Sequence, residues 1–96
     1  MPPQHYRAVT KSVAFQLNAS HAHHVSVVIL SPKGDKTSTH ALHKAINGVW
    51  HGKVDVPRGR CLYRFLVDHA AMLDPASRGT VSDDHGAQWS MREVGH

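Results

Sequence analysis

Ten histidines in 96 residues are the first chemistry this sequence offers. The run His21-Ala22-His23-His24 puts two imidazoles on one side of an extended segment, a spacing that could hold Zn²⁺ or Ni²⁺ with help from His40, His43 or His51. A structural zinc site takes four ligands at defined spacing, and there is no Cys pair or His-x₃-His helix here. The run therefore reads as surface histidines in a turn, and neither a metal nor a cofactor is expected. Many neutral imidazoles do make the net charge steeply dependent on pH. Asp83-Asp84-His85 sets acid beside base, but in a glycine-bounded loop with no recognisable nucleophile. Asp35, Asp55, Asp68 and Asp74 are scattered over different turns and strands. No catalytic constellation forms, so no enzyme is expected.

The elements that would carry these residues are strands. From Gly59 to Val67, Cys61, Tyr63, Phe65 and Val67 fall on one side of an extended backbone, while Leu62, Arg64 and Leu66 fall on the other. A period of two, with aromatic and β-branched residues on the denser side, marks a strand lying over a core. Cys61 then reads as a small core residue rather than a nucleophile. Arg64 stands on the outer face, either reaching a ligand or covering apolar surface with its stem. Asp68-His69-Ala70 gives a tight reversal, and Met72-Leu73 begins a return strand closed by Asp74-Pro75.

Upstream, Ser12–Leu17 alternates as a first strand, and Val25–Leu30 is apolar on both faces, as in a central strand. Ser31-Pro32-Lys33-Gly34-Asp35 is a strong turn signal, followed by polar Lys36–Thr39, read as loop. Ala41–Ala45 is a weak segment. Asn47-Gly48 suits a type I′ hairpin turn. Val49–Val56 is the strand after it, with Trp50, Val54 and Val56 on its core side. Residues 76–88 read as one long connection, and Trp89–Val94 as the last strand. No helical stripe is visible. Six to eight short, mostly antiparallel strands predict an all-β, immunoglobulin-like β-sandwich, with a loose lead-in over residues 1–10 and one domain over 11–96.

Composition excludes other classes. A hydrophobic fraction of 41% is globular, and no apolar run approaches the roughly 20 residues of a membrane helix. The net charge of +4 is carried by basic residues scattered singly, not clustered as a nucleic-acid binder requires. With no basic-then-apolar N-terminus and a single cysteine, a reducing compartment is expected, the cytoplasm by default.

Three stretches together carry a family likeness: Asn47-Gly48-Val49-Trp50, then Val54-Asp55-Val56-Pro57-Arg58-Gly59, then Tyr63-Arg64-Phe65-Leu66-Val67-Asp68, with Asp74-Pro75 and Gly86 following. In these the chain resembles the starch- and glycogen-binding module of family 48, also seen as the early-set domain before isoamylase and branching-enzyme barrels and in the β subunit of AMP-activated protein kinase. The resemblance runs from Ser12 to Val94. It implies an α-glucan site with two aromatic platforms, a basic residue and an asparagine. Of these only the basic residue is present, as Arg64. The first platform would fall within Ser31–Lys36, the second at Ala71, and the asparagine at Trp89. Trp89 is then either a relocated stacking platform or an aromatic capping the sandwich edge. An α-glucan presents C–H groups that stack on flat aromatic faces. The expectation is a non-catalytic accessory module that binds α-glucan weakly through Arg64 and Trp89. The alternative is a protein partner on the same sheet face.

Overall fold

The computed structural model describes residues 10–77 and 79–95, and among them every regular element is a strand. In chain order these are β1 (Thr10–Asn18), β2 (Val25–Leu30), β3 (Thr37–Ala41), β4 (His43–Lys44), β5 (Val49–Pro57), β6 (Gly59–Val67), β7 (Ala70–Met72), β8 (Thr80–Ser82) and β9 (Gln88–Val94). All pairings are antiparallel. One sheet has the order β1-β5-β4; the other runs β3-β2-β6-β9-β8, with β7 also on β6.

Strand periodicity decides what lies between the sheets. Val13, Phe15 and Leu17 of β1 meet Trp50, Val54 and Val56 of β5 on the inner face of the smaller sheet. Val25, Val27 and Ile29 of β2 and Cys61, Tyr63 and Phe65 of β6 face them from the larger sheet, in one continuous core. Tyr63 stands edge-on to both Phe15 and Phe65, at 5.0 and 5.9 Å between ring centroids, the arrangement the ring quadrupoles favour. The architecture is the expected sandwich, with β2 central between β3 and β6.

Local structure departs from the sequence reading in several places. Polar Thr37–Ala41 is a strand because it pairs along β2, needing no buried side chains of its own at that edge. At Leu42 the chain leaves one sheet for the other: its N–H donates to Val25 O, its side chain is buried, and His43–Lys44 continues on β5. The Asn47-Gly48 turn is not type I′, since only Gly48 has positive φ (84°). Instead Gly48 N–H donates to Ala45 O and Ala45 N–H to Val49 O. Glycine takes the left-handed position after a four-residue turn. The return strand begins at Ala70, because Asp68 and His69 alone make the reversal, both with positive φ (48° and 74°). Within residues 76–88, Thr80–Ser82 pairs with β9 as β8. The lead-in predicted over residues 1–10 lies outside the described residues, except for Thr10, which is in β1.

Candidate functional site

Because β6 alternates, Leu62, Arg64 and Leu66 are presented on the outer face of the larger sheet while Tyr63 and Phe65 point inward. Val28 lies directly across from Arg64 on β2. On the other side, Trp89 follows one residue beyond the Tyr63–Ser90 pair of β9. The two residues singled out from sequence are thus neighbours. The Arg64 guanidinium carbon sits 4.2 Å from the centroid of the Trp89 ring, a cation–π stack.

Trp89 is only 2% exposed. One face lies under Arg64, and its indole Nε1–H donates to Asp83 Oδ2 at 2.9 Å. Asp83 in turn holds the β8–β9 turn: its other oxygen accepts the N–H groups of His85 and Ala87, at 2.8 and 3.0 Å. Those donors, the indole first, hold the Asp83 carboxyl below its ordinary range. Asp83 was not legible as part of this site. The signal that could have found it is the Asp-x-x-Gly spacing of Asp83 and Gly86, the same turn as Ala45–Gly48. Gly86 N–H donates to Asp83 O and Asp83 N–H to Ala87 O.

Arg64 is half-buried, and among the described residues its Nε is buried with no hydrogen-bond partner. Beside this stack a cleft of about 230 Å³ opens between Leu30–Gly34 and Asp83–His85, with Leu62 between them. Its rim carries Lys33, Asp84 and His85. Among the described residues every Phe, Tyr and Trp side chain is buried, so no flat aromatic face is offered to solvent. Ala71, paired with Leu66 on β7, is exposed and small. The Ser31–Asp35 turn is closed by its own contacts, Ser31 Oγ donating to Asp35 Oδ1 at 2.9 Å.

A larger cleft, about 570 Å³, lies at the open edge between β1 and β9, lined by Phe15, Tyr63, Asp74 and Arg92. Several of its polar groups are already engaged. The Tyr63 hydroxyl donates to Asp74 Oδ2, Asp74 N–H donates to Ser90 Oγ at 2.7 Å, and Arg92 Nη1 donates to Ala14 O at 2.9 Å. Burial, reinforced by Asp74, raises the pKa of the Tyr63 phenol, and burial pushes the Cys61 thiol up to about 11. Neither is a nucleophile at neutral pH.

The histidines weighed as metal ligands are dispersed, His21, His23 and His24 in the β1–β2 turn and His40, His43 and His51 on strands β3, β4 and β5. Among the described residues no group of three or more His, Cys, Asp or Glu is placed to hold a metal ion. His43 and His51 face each other across β4 and β5, while His23 and His24 stand at the end of the sandwich beside Asp68.

Among curated proteins the chain has no match. Solved structures similar to it include a pullulanase from Anoxybacillus sp. complexed with maltotetraose, at 22% identity and TM-score 0.64 over 82% of this chain and 12% of that one. A type I pullulanase from Bacillus subtilis complexed with maltose is similar at 17% identity and TM-score 0.65, over 86% of this chain and 12% of that one. The catalytic module of the multi-modular glycogen-degrading pneumococcal virulence factor SpuA is similar at 23% identity and TM-score 0.65, over 88% and 15%. This chain therefore spans only a small share of the length of those proteins, and at such identities the likeness is one of fold. The family model for carbohydrate-binding module 48, the isoamylase N-terminal domain, matches residues 4–85, most of the chain, and the chain belongs to that family.

Proposed function

We propose that this chain is a non-catalytic accessory module that binds α-glucan weakly on the outer face of its larger sheet. Family membership supports the ligand class. The observation that carries the site is the Arg64–Trp89 stack: a guanidinium held 4.2 Å over a buried indole, beside a cleft on the same face. In this reading Arg64 donates to sugar hydroxyls. Trp89 serves as the platform on which the guanidinium is laid, itself fixed by Asp83. A guanidinium already seated over a fixed ring loses little freedom when it binds.

The binding is weak because the stacking surface is buried. Aromatic stacking contributes on the order of 1–3 kcal/mol for each ring engaged, and about 1.4 kcal/mol is tenfold in affinity. A module without two such platforms falls from the micromolar toward the millimolar range. Maltoheptaose titrated against the labelled chain should shift amides of β6, β9 and the two turns lining the cleft, with a millimolar Kd. Arg64→Ala should abolish those shifts, and Arg64→Lys, which cannot lie flat, should restore them only in part. An unchanged Kd in Arg64→Ala would refute the site. No shifts at tens of millimolar sugar would refute the ligand, leaving a protein partner on this face. The partly exposed Leu62 and Leu66 on the same face favour that second reading.

A further inference from the structure

We infer that His24 and His69, brought together at one end of the sandwich, form a two-imidazole chelate for a divalent transition-metal ion of the Zn²⁺ or Ni²⁺ class. Sequence spacing pointed to His21 and His23 and supplied too few ligands. The fold instead pairs His24 with His69 of a different turn, 45 residues on, and leaves the remaining positions to water. The His24 and His69 rings lie with centroids 6.4 Å apart and planes at 36°. With metal–nitrogen bonds of about 2.0–2.1 Å, two imidazoles on a tetrahedral ion have centroids about 5 Å apart. A small χ rotation of two exposed side chains closes the difference.

The backbone beneath the pair is already fixed. Asp68 N–H donates to His24 O at 2.8 Å, and the N–H groups of His23 and His24 both donate to Asp68 Oδ1 at 2.8 Å. Those three bonds lock the histidine-rich turn to the Asp68-His69 reversal, so the backbone carrying the two rings is held at a set spacing. Asp68 Oδ2 adds negative charge 3.8 Å from His23 Nδ1. With only two protein imidazoles, the remaining coordination positions belong to water. The affinity then lies far below that of a four-ligand structural site, with Kd on the order of tens of micromolar to 0.1 mM.

The test uses the full chain without an affinity tag, titrated with Zn²⁺ and separately with Ni²⁺ at pH 7.5. Calorimetry should give a one-to-one complex, and ring ¹⁵N signals of His24 and His69 should shift together with Zn²⁺. His24→Gln should weaken binding at least tenfold. His69→Asn should do the same, asparagine being tolerated at the positive φ of that position. His43→Gln should bind as the parent does. The inference is overturned by no saturable binding up to 1 mM metal, by ring shifts confined to other histidines, or by parent-like binding in His24→Gln. Because His24 is exposed on a surface turn, that variant decides the matter even where His69→Asn alters stability.

Discussion

Arg64 and Phe65 are consecutive residues with opposite fates, which a strand's two-residue period alone dictates. Phe65 is wholly buried in the core, stacked edge-on with Tyr63. Phe65→Ala should therefore destabilise the domain by about 3–5 kcal/mol, read as a large fall in melting temperature. A mutant melting within a degree or two of the parent would mean the strand's faces are reversed. At this scale the sequence was most legible where alternation is strict: Tyr63, Phe65, Trp50 and Cys61 all lie where their spacing put them. Trp89 was legible as a strand residue, but not as a buried one. It lies on the outer face, outside the main core, and it is covered by Arg64 and held by Asp83. Neither contact follows from its own neighbours in sequence.

Short elements were read less well than long ones, for a consistent reason. β3 and β8 have mostly exposed side chains and owe their existence to the ladder offered by β2 and β9, a tertiary cause that leaves no apolar pattern in the chain. Turns were found but typed wrongly where one glycine does the work of two residues. At Gly48, φ is 84° and an added Cβ would meet Ser20 Cβ at 2.8 Å. Gly48→Ala should cost at least about 1–2 kcal/mol by denaturant unfolding, whereas the same change at Gly79, with no positive φ and open space around it, should be far milder. The β8–β9 turn carries a pH dependence of known sign. Asp83 has a lowered pKa in the fold, so its stabilising contacts are complete above the unfolded carboxylate range, near pH 4, and are lost as pH falls through the lower folded value. Acid titration should therefore release the Trp89 indole, seen as a tryptophan emission change below pH 4. Asp83→Asn should show that change already at neutral pH.

Across the whole molecule, one side chain that no pattern announces helps to hold sheet to sheet at the open edge, beside the Phe15–Tyr63 contact. Arg92 comes from the larger sheet, donates to Ala14 O of β1, and lies 5.3 Å over the ring of Phe15. Arg92→Met keeps the aliphatic stem and should still cost about 1 kcal/mol, loosening β1 before the rest in amide exchange. Uniform exchange along β1 and β2 in that variant would show the contact to be dispensable. The sandwich itself was readable because hydrophobic spacing and turn chemistry agree at every long strand. The proposed binding face was readable only in outline. Its determinants lie on β6, β9 and two turns distant in sequence, and what distinguishes this face is how side chains cover one another.

The crossing at Leu42 has a kinetic meaning. One residue ends pairing with β2 and the next begins pairing with β5, and the Leu42 side chain is packed so closely over Gly52 that a Cβ there would come within 2.9 Å of it. The two sheets are thus stitched by the chain in mid-sequence, and neither can peel open without dragging the other's hydrogen bonds apart. β1, meanwhile, must find β5 across a register joining Thr10 to Pro57 and Asn18 to Val49. Closing such a loop before its contacts reward it slows assembly, as in other sandwiches dominated by distant pairings. The domain should hence fold slowly and come apart in one cooperative step, either whole or absent.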